Sequence, residues 1–235
     1  MATYITQFMK KKCFLLLVVF VICFVTDGIS QKRNYRINNS LNVIGGLTKF
    51  TIATDDFITT EGDGFVIGTA TGVDIPMRWY NISLGMQISE NHVNILGKET
   101  ALSVENEFIK YKIFAVQAPF LMHIKVIPNM VTIDLGPILQ YNGNLELVDK
   151  KKETYYINKY NNVTVKAIKN ISQFNINGAI GASVGFKYFK LKAQYIYGFT
   201  NILKRLDNEN LDALGGPSHF KGNQNMLILG GVISF

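Results

Sequence analysis

In Phe189-Lys190-Leu191-Lys192-Ala193-Gln194-Tyr195-Ile196-Tyr197-Gly198-Phe199 every second side chain is apolar. Lys190, Lys192 and Gln194 fall on the other face with Ile196 and Gly198. A period of two is the signature of a strand with one greasy side. The preceding segment repeats it, with Ile176, Ile180, Ala182, Val184, Phe186 and Tyr188 against Asn177, Ala179, Gly181, Ser183, Gly185 and Lys187. Further upstream, Phe114, Val116, Ala118, Phe120, Met122, Ile124 and Val126 alternate with Ala115, Gln117, Pro119, Leu121, His123 and Lys125. Val131, Ile133, Leu135, Leu139 and Tyr141 then alternate with Thr132, Asp134, Gln140 and Asn142. Weaker versions run over Tyr80 to Ile88, Phe65 to Ile75 and Leu41 to Thr51, and the chain closes on Leu227, Leu229, Gly231, Ile233 and Phe235. The pattern predicts eight strands, an even number.

The predicted links alternate in length. Long ones fall at about Ile52 to Gly64, Asn91 to Glu107, Leu145 to Ser172 and Leu203 to Gln224; short ones fall around Pro76, at Pro128-Asn129 and near Tyr188 to Lys190. An antiparallel up-and-down barrel with both termini on the short-turn side produces this order. The sense of the alternation then separates two barrel types. A soluble ligand-binding barrel is apolar inside and wet outside. Here the continuous face is the apolar one, while Gly, Ser, Asn, Gln, Lys and Asp collect on the other, an arrangement that only lipid permits as an exterior. The composition agrees, at 48% hydrophobic and 17% charged over 235 residues. The expected fold class is all-β: an eight-stranded antiparallel transmembrane β-barrel with short periplasmic turns and long external loops. Trp79, Tyr80, Tyr111, Tyr141, Tyr188 and Phe235 stand near strand ends, where interfacial girdles belong.

The first 30 residues read as a separate unit. Lys10, Lys11 and Lys12 precede the apolar run Cys13 to Val25, with Gly28 and Ser30 placed for cleavage before Gln31. This is the pattern of an export signal, too short in its apolar part for a spanning helix. The expected organisation is a cleaved signal peptide over 1–30, starting at Met1 or Met9, and a barrel domain over 31–235. Both cysteines, Cys13 and Cys23, lie in the leader. Without Lys10, Lys11, Lys12 and Asp27 the net charge falls from +7 to +5.

Several segments resemble the PorT-like outer-membrane barrels, small eight-stranded proteins of Gram-negative bacteria named after a component of type IX secretion. They are Gln117-Ala118-Pro119-Phe120-Leu121, Asp134-Leu135-Gly136-Pro137, Gly178-Ala179-Ile180-Gly181-Ala182 with Gly185, and Gln194-Tyr195-Ile196-Tyr197-Gly198-Phe199-Thr200-Asn201-Ile202, in the family's order. The chain departs from the family at Gln194, where Arg is common. The resemblance implies a barrel in the outer membrane and assigns no activity. A last strand ending on the aromatic Phe235 looks like the signal read by the barrel insertion machinery.

Little in the sequence points to chemistry. His92, His123 and His219 are scattered, two in predicted loops and one in a strand, and no ligand spacing joins them. His123 is expected in the lumen beside Lys125 and opposite Asp134. The glycines of Gly178-Ala179-Ile180-Gly181 open no helix, so they are not a phosphate loop. Lys150-Lys151-Lys152, followed by Tyr155 and Tyr156, reads either as an anion-binding surface or, more simply, as a solvated loop. The expectation is therefore a non-enzymatic barrel with no catalytic residue, cofactor or metal and no nucleic-acid partner. Its partners are outer-membrane lipids, the insertion machinery and an envelope protein met by the long loops. The alternatives are a soluble lipocalin-like lipid carrier, a pore, and an enzyme built on His219 with Ser218 and Asp207 or Asp212.

Overall fold

The computed structural model describes residues 38–235 apart from 76, 104 and 161, with the side chains of 38, 212 and 213 also left aside. The leader read over Met1 to Ser30 lies outside the described residues. The strands are β1 (Asn38–Ala53), β2 (Thr59–Asp74), β3 (Tyr80–Lys98), β4 (Glu107–Ile127), β5 (Val131–Asn142), β6 (Glu146–Leu147), β7 (Tyr156–Ile157), β8 (Phe174–Gly185), β9 (Phe189–Gly198) and β10 (Asn223–Ser234). Eight of them close a ring, β1-β2-β3-β4-β5-β8-β9-β10 and back to β1, every neighbour antiparallel. The two-residue strands β6 and β7 lean on the outer parts of β4 and β3. Closure satisfies the backbone of the first and last strands against each other, from Asn42 opposite Ser234 to Ala53 opposite Asn223. At this seam Gly46 faces Gly230, and a Cβ on Gly230 would lie 2.3 Å from the Gly45 oxygen.

The barrel wall has the expected sense. Leu47, Phe65, Leu84, Met86, Phe120, Ile133, Ile180, Leu191 and Leu229 face outward and stay 41–72% exposed. Thr48, Ser83, Gln87, Gln117, Asp134, Gln140, Asn177, Lys192, Gln194 and Gln224 face inward and are 0–7% exposed. A water-soluble barrel would reverse this, because exposed apolar area of that extent costs roughly 25 cal/mol per Å² in water. From Phe114 to Val126 the outward face of β4 is apolar throughout, which at about 3.3 Å per residue and a tilt near 40° spans about 30 Å. Among the described residues no helix is long and apolar enough to cross a membrane.

The two ends differ from the sequence reading in an instructive way. The inner turns at 75–79, 128–130 and 186–188 are short as expected, whereas the link expected over Ile52 to Gly64 shrinks to 54–58. Strands β3 and β4 run to 19 and 21 residues because they climb above the apolar belt. There the parity persists and the chemistry swaps. On β4 the inward residues Ile109, Tyr111 and Ile113 are at most 1% exposed, while outward positions carry Lys110 and Lys112. On β3 the inward residues pass from Gln87, Ser89 and Asn91 to Val93 and Ile95. His92, expected in a loop, therefore sits in β3. Tyr111 is not a girdle aromatic; its ring is buried and its hydroxyl donates to the Val165 carbonyl at 3.0 Å. Trp79, Tyr141, Tyr188 and Phe235 do stand at the wall's edges, 53–73% exposed.

Candidate functional site

Upward along the lumen four levels follow one another. Lowest is a polar knot. His123 Nδ1 is 2.6 Å from Asp134 Oδ1, and His123 Nε2 is 2.7 Å from Ser83 Oγ. Asp134 also accepts from Thr132 at 2.8 Å and from Ser183 at 2.5 Å. Beside the knot, Lys125 Nζ donates to Asp74 at 2.7 Å. The expected meeting of His123 with Asp134 is thus present, since both are inward positions paired across β4 and β5. Ser83 was not legible as its partner, because β3 pairs it with Leu121 and the contact is diagonal. The knot ties β3, β4, β5 and β8 together.

An apolar level lies above, formed by Leu121, Ile138, Ala179 and Ile196. Next come the amides. Gln87 Nε2 donates to Gln117 at 2.6 Å, Gln117 to Gln140 at 2.7 Å, and Gln140 and Gln224 exchange bonds of 2.9 and 2.8 Å. Asn177 donates to Gln140 at 2.7 Å and accepts from Gln224 at the same distance. Strands β5 and β10 are not neighbours in the ring, so this ladder crosses the lumen. A buried amide without partners costs about 1–3 kcal/mol, and mutual bonding removes that cost. Among the described residues, Gln194 Nε2 is the lumen amide nitrogen left without one.

The fourth level is a cap. The links 143–173 and 199–222 do not extend freely. They fold over the mouth through β6, β7 and short 3-10 turns at Lys150–Lys152, Val165–Ile168, Lys204–Glu209 and Leu211–Leu214. Leu145, Ile157, Val165, Ile168, Ile171, Ile202, Leu206 and Phe220 are buried there with the upper strand residues Phe50, Ile52, Ile95, Ile109 and Tyr111. Phe57, from the first outer turn, stacks on Phe220 at 5.6 Å and meets Tyr160 edge-on at 6.4 Å. Burial pushes the Tyr111 phenol up, and burial with Asp56 nearby does the same to Tyr160.

The cap also sorts the lysines of 150–152. Lys152 pairs with Glu107, a hydrogen bond that raises its ammonium pKa, and the Lys151 amide caps onto Asp149 at 3.1 Å. Lys150 lies on a crevice of about 620 Å³ with Glu153, Lys166 and Lys169. Lys169 donates to Glu153 Oε1 at 3.0 Å and, with Lys166 and Lys150, holds that carboxyl below the ordinary carboxylate range. His219 Nδ1 lies 3.3 Å from Asp207 Oδ2, which partly assembles the third alternative, but Asp207 Oδ1 is occupied by the Phe220 amide at 2.7 Å. The Asp212 side chain lies outside the described residues. Among the described residues no three His, Cys, Asp or Glu side chains converge as a metal site.

No protein-family model matches the sequence, and no curated protein matches it. Three solved structures are similar in outline. Neisserial surface protein A is 13% identical with a TM-score of 0.46, covering 84% of this chain and 99% of its own. Ail, the attachment invasion locus protein of Yersinia pestis, is 12% identical with a TM-score of 0.42, covering 84% and 99%. The N-terminal β-barrel domain of Pseudomonas aeruginosa OprF is 12% identical with a TM-score of 0.39, covering 85% and 100%.

Proposed function

We propose that this chain is a non-enzymatic outer-membrane barrel of the PorT-like kind, exported by a cleaved leader, which serves the envelope as a structural or interaction component through its capped outer end. The observation that carries the reading is the closed wall, apolar outside and bonded through its amides inside. A carrier needs an apolar cavity and a diffusion pore an open lumen; here Gln117 and Gln140 are buried at the centre and bonded to each other. The cap offers a shaped surface to a partner, rather than mobile loops. Recovery in the outer-membrane fraction and faster migration on unboiled gels are the expected results, and a detergent-free periplasmic monomer would overturn the reading.

A second reading has one observation in its favour. Ser83, His123 and Asp134 are bonded in the order of a nucleophilic relay. A serine-directed fluorophosphonate separates the two: on the non-enzymatic reading Ser83 stays unlabelled, and labelling lost in Ser83→Ala would establish a nucleophile.

A further inference from the structure

The crevice of the cap gathers three lysines against two carboxylates in its lining. Its walls place Lys150, Lys166 and Lys169 around a single carboxylate, Glu153, with Nζ of Lys169 and Lys166 at 3.0 and 3.8 Å from its oxygens. The other acid of the lining, Glu146, is drawn to Lys112 at 3.4 Å. Lys112 is shared with Glu90 at 3.9 Å, so the lining counts three lysines against two carboxylates and one positive charge remains, each ammonium having three donors to place. Asn144 and Asn170 complete the rim with carboxamides, Asn170 Nδ2 donating to Glu209 at 2.7 Å.

The height of the crevice fixes what anion it meets. Asn142 donates to the Gln173 carbonyl at 2.7 Å and Leu145 to the Lys169 carbonyl at 2.9 Å. These bonds hold the crevice directly above Tyr141 and Phe174, the outward aromatics that end β5 and β8, 53% and 61% exposed. Aromatics at that edge mark the interface, so the lysines stand at the level of lipid headgroups.

We propose that this crevice binds the phosphate of a phosphorylated glycolipid headgroup, the lysines taking the phosphate oxygens and Asn144 a sugar hydroxyl. The inference rests on the outer-membrane reading above. Glu153 is then the anion that keeps the lysines gathered and competes with the ligand.

The test uses the full barrel in neutral detergent, with three probes: diphosphorylated lipid A, its dephosphorylated form and inorganic phosphate. The phosphorylated lipid is expected to bind in preference to both others. Lys150→Ala with Lys166→Ala should weaken it about thirtyfold, from roughly a factor of five per lysine at an anionic surface. Glu153→Gln should tighten it, which a purely structural Glu153 would not do. Equal binding of the two lipid A forms, or unchanged binding in both variants, overturns the proposal. Free phosphate binding as tightly as the lipid overturns the lipid source. Heat-modifiable migration is measured on every sample; its failure in the wild type would instead sink the membrane reading.

Discussion

The wall and the cap are built from the same strands with opposite chemistry. Below Phe114 on β4 the outward residues are apolar and the lumen holds Gln117 and His123; above it Lys110 and Lys112 face out and Ile109, Tyr111 and Ile113 face in. Neither the parity nor the hydrogen-bond ladder changes at the crossing, because β4 stays paired with β3 from Glu107 to Ile124. What changes is the solvent. Lipid rewards an apolar exterior and leaves the amides to bond one another, whereas water rewards an apolar core, so the swap marks the upper membrane edge.

The largest effect expected from crossing that edge is on the wall. Leu84→Arg puts a charge at a 60% exposed outward position of β3, and should cost about 2–4 kcal/mol of folding free energy in bilayers. Lys112→Leu, on the outward face above the edge, should change it little, since an exposed ion pair with Glu90 and Glu146 contributes about 0–1 kcal/mol. Urea unfolding of the inserted proteins reads both. Next in size is Gln140→Leu, which leaves Gln117, Gln224 and Asn177 short of partners in the lumen and should cost about 1–3 kcal/mol. In the cap, Tyr111→Phe strands the Val165 carbonyl and should cost about 1 kcal/mol, seen as faster amide exchange in 143–173 with the wall unaffected.

The smallest effect is one of pH. Glu153 titrates below its ordinary 4.5 because Lys169, then Lys166 and Lys150, favour its charged form. Its contribution is therefore complete above pH 4.5 and lost as pH falls through the lowered folded value. Protease nicking of the cap should rise below pH 4.5 and be dulled by salt, since the group is exposed.

The wall was legible because alternation between Phe189 and Phe199 or Phe114 and Val126 states both the strand and its lipid side. The cap was not, for a physical reason: a search for one continuous apolar face stops where the faces exchange. Ile109, Tyr111 and Ile113 between Lys110 and Lys112 carry the signal, but in inverted sense, so Tyr111 reads as a girdle residue and Glu107 as part of a link. The apolar spacing of Val163, Val165, Ile168 and Ile171 likewise gives no partner until the mouth of the barrel supplies one. In the lumen, His123 with Asp134 follows from neighbouring strands, while Gln140 with Gln224 joins strands that only closure brings together.

Cysteine scanning along β4 tests the exchange of faces most directly, because residues 31–235 contain no cysteine. With spin labels at 110, 112, 114, 116, 120 and 124 of the inserted protein, oxygen and an aqueous nickel chelate report lipid and water. Aqueous access is expected at 110 and 112 and lipid access at 114, 116, 120 and 124. Lipid access at 110 and 112, or aqueous access at 120, would contradict the exchange of faces.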